Sequence, residues 1–133
     1  MLSYYDYQIV ENEHLYGPGK RLLIFLQGCS LHCKGCVNKH LWDFKCEKML
    51  SNEDILRICE IEKVDGITLH GGEPLDQAEK LLEIVKALKE KKFTVILFTG
   101  YTKKEIKDYK LKVWNLSDIV ISGRFKLEKQ NFY

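Results

Sequence analysis

No apolar run in this chain exceeds five residues. The longest, LLIFL at 22–26, supplies one buried strand, whereas a membrane-spanning helix needs about 20 apolar residues. Charge of one sign is scarce as well. With 21 basic and 19 acidic residues the formal net charge is +2, and the lysines are scattered rather than clustered. That excludes the basic face expected of a nucleic-acid binder. The N-terminal stretch MLSYYDYQIVENEH has no basic start followed by an apolar segment, so it does not read as a signal peptide. A cytoplasmic protein is expected. Internal repeats, linkers and low-complexity segments are absent too. The 133 residues suffice for one core but not two. They also fall well short of the roughly 250 of a closed eight-stranded α/β barrel.

What is present is concentrated in one place. The chain has five cysteines, an odd number, and three of them fall in GCSLHCKGC at 28–36. In a reducing compartment such clustering points to metal or redox chemistry rather than to a disulfide framework.

The periodicity predicts alternating strands and helices. Tyr7–Val10 reads as a short strand, and Gly17-Pro18-Gly19 as a turn. Residues 21–27 (RLLIFLQ) form a nearly continuous apolar run, as in a strand buried on both faces. A helix then opens at Ser51, with Asp54 three residues on in a capping-box pattern. Residues 65–72 (DGITLHGG) read as a strand. An amphipathic helix follows, with Ala78, Leu81, Leu82, Val85 and Leu88 on one stripe. Residues 93–100 (FTVILFTG) give the next strand, Thr102 with Glu105 caps a short helix, and 118–125 (DIVISGRF) gives the last strand. Short apolar strands alternating with helices imply parallel βα units. The expected architecture is a single α/β domain over 1–133, built on an open parallel sheet or partial (β/α) barrel.

In parallel α/β sheets, ligands bind at the C-terminal ends of the strands. The chain puts QGCSLHCKGC, HGGEP, TGYT and SGRF at four successive predicted strand ends. This convergence points to one active site.

Cys29, Cys33 and Cys36 are spaced Cys-x3-Cys-x2-Cys. Structural zinc would need a fourth ligand. His32, His40 and Cys46 are candidates, but no second knuckle of paired ligands follows. Three thiolates also suit a [4Fe–4S] cluster with one iron left open to a ligand, since clusters used only for electron transfer usually take four cysteines.

The cysteine spacing after the first strand, together with Gly71-Gly72-Glu73 after the second, resembles the radical S-adenosylmethionine (SAM) enzymes. Further motifs narrow the resemblance to the small activating enzymes of glycyl radical enzymes, with the activators of anaerobic (class III) ribonucleotide reductase as the nearest group. These motifs are Gly17-Pro18-Gly19, Lys34-Gly35-Cys36, Asn38-Lys39 and Thr99-Gly100-Tyr101. Gly35 stands where most radical SAM enzymes carry an aromatic residue. The resemblance runs from about residue 7 to residue 125.

The resemblance implies one [4Fe–4S] cluster held by Cys29, Cys33 and Cys36 in a cluster loop at 28–38, with SAM chelated to the fourth iron. It further implies reductive cleavage of SAM to methionine and a 5′-deoxyadenosyl radical, which takes a hydrogen atom from the substrate. Backbone around Gly35 and Val37 would contact SAM. Gly71, Gly72 and Glu73 would meet its methionyl part, with Glu73 near the ammonium or orienting its neighbours. Thr99 and Gly100 would lie near the adenine or ribose. No catalytic residue is implied beyond the cluster and SAM. The implied partner is a large glycyl radical enzyme, above all anaerobic ribonucleotide reductase, with a flavodoxin or ferredoxin as electron donor. The segment after Phe125 is shorter than that group carries. Two alternatives therefore stay open: a small radical SAM enzyme modifying another peptide or protein, and a metal-stabilised adaptor without activity. No second cluster is expected from Cys46 and Cys59. Cys59 reads as helix packing, His70 as structural, and Trp42 and the N-terminal tyrosines as packing.

Overall fold

The computed structural model of the protein describes residues 2–12, 16–27 and 48–123. Its sheet has six strands: β1 (Leu2–Glu11), β2 (Lys20–Leu26), β3 (Met49–Leu50), β4 (Gly66–Gly71), β5 (Thr94–Thr99) and β6 (Ile119–Ser122). Three helices intervene: α1 (Asn52–Glu62), α2 (Ala78–Glu90) and α3 (Asp108–Leu116). The strand order is β3-β1-β2-β4-β5-β6. Strands β2, β4, β5 and β6 pair in parallel, as the alternating pattern implies.

The remaining part of the sheet departs from the all-parallel expectation. The N-terminal strand spans Leu2–Glu11 rather than Tyr7–Val10 and runs antiparallel to β2. The two-residue β3 adds antiparallel to its outer edge, a pairing too short to leave a sequence pattern. Tyr5 and Tyr7 stay 46% and 38% exposed; of the three tyrosines in β1 Tyr4 packs on the core, beside the fully buried Leu2.

Parallel strands that succeed one another across a sheet, each joined by a right-handed crossover, place their helices on one face. The register reflects this. Leu22, Ile67 and Val95 align, as do Ile24, Leu69 and Leu97. All six share a core with Ile55, Leu81, Ile84, Val85, Leu88 and Val113 of the helices. The predicted α2 stripe is buried in full, with Ile84 added.

Local chemistry sets the helix ends. At α1 the Ser51 hydroxyl accepts from the Asp54 N–H and the Asp54 carboxylate accepts from the Ser51 N–H, completing the expected capping box. The Thr102–Glu105 box also forms, but it supports only one 3₁₀ turn, Lys103–Glu105. There Ile106 turns into the core in extended conformation, and α3 starts afresh at Asp108.

The face opposite these helices is closed from below by a segment the sequence marks only as a turn. Gly17 lies so close to the Ile96 side chain that a Cβ would meet its Cδ1, and its φ of +106° suits glycine. The Thr68 hydroxyl donates to the Tyr16 carbonyl at 2.8 Å. Arg21, 2% exposed, sits beneath. It donates to Thr68 Oγ1 (2.8 Å), Thr94 Oγ1 (2.9 Å), and the carbonyls of Ile67 (2.7 Å), Thr94 (3.1 Å) and Pro18 (3.3 Å). Burial lowers its pKa, and the Asp65 and Asp118 carboxylates partly offset that. Among the described residues no helix is long and apolar enough to cross a membrane.

Candidate active site

The C-terminal ends of the four parallel strands form one rim. Leu26 and Gln27 end β2, Gly71-Gly72-Glu73 ends β4, Thr99-Gly100 ends β5, and Ser122-Gly123 ends β6. The Gly72 N–H donates to the Leu26 carbonyl at 2.8 Å, tying the end of β4 to the end of β2. The Gln77 side-chain amide donates to the Gln27 carbonyl at 3.2 Å. The chain therefore enters its cysteine loop beside the Gly-Gly-Glu motif. Gly71 sits where the strands press together. Its φ is +100°, and a Cβ there would lie 2.5 Å from the Leu26 nitrogen and 2.8 Å from its oxygen. No side chain fits.

Glu73 is 1% exposed. Its Oε2 accepts from the Leu75 N–H (2.9 Å) and the Thr99 hydroxyl (2.7 Å), and its Oε1 accepts from the Gly100 N–H (2.7 Å). Three sequence-predicted site residues, Glu73, Thr99 and Gly100, are thus joined in one network. The carboxylate clips the end of β5 to the end of β4. Burial pushes its pKa up to about 7, against the pull of those three hydrogen bonds and with a smaller push from Asp76. Thr99 Oγ1 in turn accepts from the Tyr101 N–H at 3.1 Å.

Outside this clip the Tyr101 hydroxyl donates to Asp76 Oδ1 at 2.8 Å. The Lys110 ammonium stands 3.9 Å from the same carboxylate and 4.5 Å from the centre of the Tyr101 ring. Asp76 and Lys110 are neighbours that no motif announces; they meet because α3 returns alongside the turn at Pro74–Gln77.

On the helix-free face, directly before the glycines, His70 packs against Phe98 (ring centres 4.6 Å apart), Phe25 (5.7 Å) and Tyr16 (5.7 Å). Its Nδ1 accepts from the Gly71 N–H at 2.6 Å. Burial holds its pKa down at about 4, so the ring is neutral at physiological pH. The alternation of β4 assigns His70 to this face, but the sequence carries no sign of the aromatic surround.

Cys59 is fully buried in the core, as expected, and burial raises its thiol pKa to about 11. Cys29, Cys33, Cys36, Gly35 and Val37 lie outside the described residues, as do His32, His40, Trp42 and Cys46. Among the described residues no three His, Cys, Asp or Glu side chains gather as a metal-binding group.

Comparison with known proteins meets this geometry from the other side. The family described as "4Fe-4S single cluster domain" matches residues 15–132. The anaerobic ribonucleoside-triphosphate reductase-activating protein of Pasteurella multocida is 32% identical over 141 residues, spanning 96% of this chain and 85% of that protein. The protein of the same name from Enterobacteria phage T4 is 29% identical, spanning 92% of this chain and 81% of its own length. A pyruvate formate-lyase-activating enzyme of Clostridium pasteurianum is 38% identical over 92 residues, 64% of this chain and 39% of that enzyme. Among solved structures, QueE from Escherichia coli shares the fold with a TM-score of 0.61 at 22% identity, over 74% of this chain and 52% of that one. With its cysteine loop entering beside a glycine-rich rim, this chain belongs to the 4Fe-4S single cluster domain family and, within it, to the radical SAM activating enzymes typified by the anaerobic ribonucleoside-triphosphate reductase-activating proteins.

Proposed function

We propose that this chain is a single radical SAM domain over 1–133 that cleaves SAM reductively and generates a glycyl radical on a partner enzyme, anaerobic ribonucleotide reductase. The observation that carries the reading is the tie between Gly72 and the Leu26 carbonyl. Through it the cysteine loop leaves the sheet beside the Gly-Gly-Glu turn and the Thr99-Gly100 strand end. The donor set fits the group the family description names: three thiolates suit three irons of a cluster and leave the fourth for SAM.

Cys29, Cys33 and Cys36 would hold the cluster, and backbone around Gly35 and Val37 would contact SAM. When bound, the cluster supplies one electron and SAM supplies the hydrogen-abstracting power. The chain's own residues position and exclude. Gly71 and Gly72 keep the β4 end free of side chains, so a ligand's polar groups can approach main chain. Glu73 acts on its neighbours, holding the Thr99 hydroxyl and the Gly100 N–H in place at the adenosyl side. The Tyr16–Gly17–Pro18 segment, anchored by Arg21, keeps water out from below. The sheet is read as a partial barrel whose helix-free face is its interior, with the side beyond β6 open to a polypeptide loop. Such a protein works in the cytoplasm, takes its electron from a flavodoxin or ferredoxin, and binds neither nucleic acid nor membrane.

The test is anaerobic reconstitution with iron and sulfide, followed by electron paramagnetic resonance (EPR) of the reduced protein with and without SAM. A [4Fe–4S]⁺ signal that changes on SAM addition is expected. A protein that binds only zinc, or whose cluster signal ignores SAM, refutes the reading.

A further inference from the structure

We propose that His70 is a positioning residue whose Nε2–H donates a hydrogen bond to a main-chain carbonyl of the polypeptide segment that enters the site, holding that segment against the Phe25–Phe98 aromatic surface. The proposal rests on the reading of the partner as a protein given above.

The imidazole's two nitrogens have different tasks. In a neutral ring one nitrogen accepts and the other carries the proton. Nδ1 takes the Gly71 N–H at 2.6 Å, so the proton sits on Nε2. That donor has no acceptor among the described residues: the remaining contacts of His70 are to aromatic rings. It is not sealed off either, because among the described residues no buried side-chain nitrogen or oxygen lacks a hydrogen-bond partner. Nε2–H therefore reaches accessible space on the helix-free face, beside the rim where Gly72 and Glu73 stand.

The surround selects what it can meet. Phe25 and Phe98 flank the ring, and Tyr16 closes its lower side. Beyond Phe98 the register continues to Ile121, 41% exposed at the edge strand. Among the described residues the path from the β6 edge to His70 is thus apolar, with one fixed neutral donor at its inner end. Entering it costs a carboxylate or phosphate its hydration, and among the described residues no cation lines the path to compensate. A peptide unit fits better, since its carbonyl takes the donor and its neighbouring atoms lie on the rings. A segment rich in glycine, with no side chains to clash, approaches closest. The imidazole is also held by the very N–H that starts the Gly-Gly-Glu turn. The polypeptide and the SAM-side main chain are therefore referenced to the same strand end.

The experiment uses the reconstituted protein with anaerobic ribonucleoside-triphosphate reductase as the probe, comparing wild type, His70→Phe and His70→Gln. Phenylalanine fills the aromatic volume without a donor, whereas glutamine restores an N–H donor. Expected for His70→Phe is a rise of about tenfold in the half-saturating reductase concentration, the scale of one neutral hydrogen bond. His70→Gln should recover part of it. The SAM-induced change in the cluster EPR signal should persist in both. Nitrogen NMR of the wild-type imidazole should show the Nε2–H tautomer, with the Nε2 resonance shifting when reductase is added. That shift is a readout that pure packing would not move, and it stands even if a variant folds poorly.

Equal half-saturation for wild type and His70→Phe overturns the proposal, as does an Nε2 resonance indifferent to the reductase. Loss of the SAM-induced EPR change in His70→Phe alone would assign His70 to SAM instead, which also overturns it. Loss of that change in the wild type would sink the SAM reading itself, a separate result.

Discussion

Replacing Glu73 by glutamine should expose how the clip works, because it keeps the shape and removes one acceptor. The carboxylate serves three donors with two oxygens: Leu75 N–H and Thr99 hydroxyl on Oε2, and Gly100 N–H on Oε1. A glutamine that keeps Leu75 and Thr99 on its oxygen turns its own NH₂ toward the Gly100 N–H. Two donors then oppose each other in a site where residue 73 is 1% exposed. Leaving a buried N–H without an acceptor costs about 1–3 kcal/mol. The carboxylate has a cost of its own. With a pKa raised from 4.5 to about 7, its ionised form disfavours the folded state. The folded state then binds more protons than the unfolded one between those two values, so stability falls as pH rises through them. At about 1.4 kcal/mol per pKa unit the total is about 3 kcal/mol, most of it between about pH 5 and pH 8. His70 runs the other way. Its pKa is lowered from 6.5 to about 4, so stability rises as pH climbs through that window. The wild-type curve alone therefore hides both effects, and the difference between wild type and Glu73→Gln isolates the carboxylate. Urea unfolding should show the variant less stable by about 1–3 kcal/mol near pH 5 and comparable to wild type near pH 8. A stability difference that does not change with pH would refute the assigned cause of the shift. A variant that keeps full SAM cleavage would refute the role given to Gly100.

Three further perturbations follow from the same geometry. Gly71→Ala should destabilise the fold by about 2 kcal/mol or more, read by denaturant midpoint, because the Cβ meets Leu26 main chain and the φ of +100° is strained; a wild-type midpoint would contradict the close approach. Arg21→Met should cost about 2–3 kcal/mol, since it strands the acceptors at Ile67, Thr68 and Thr94; Arg21→Lys should rescue little, because one ammonium cannot span those directions. The Cys59 thiol, buried and with a pKa near 11, should resist iodoacetamide in the folded protein and react only on unfolding; mass mapping of the alkylated peptides checks this, and rapid labelling would contradict its burial.

Much of this protein was legible in the chain because the informative signals are local. The capping box at Ser51 and Asp54 joins residues three apart and forms as written. The α2 stripe repeats within one helix. The parallel strands announce themselves as short apolar runs, and the sheet keeps their order. Once that order is known, the cysteine loop, Gly72 and Thr99 must share a rim, because parallel strands end on the same side. Tertiary structure decided what depends on partners distant in sequence. Arg21 reaches acceptors 47 and 73 residues away, so nothing near it marks it as a buried anchor. Gly17-Pro18-Gly19 has the composition of a turn, and only packing on Ile96 makes it the floor of a face. Glu73 reads equally as a ligand contact or a brace. Folding turns it toward Thr99, 26 residues on, because a carboxylate removed from water must find donors and the β5 end is where they are.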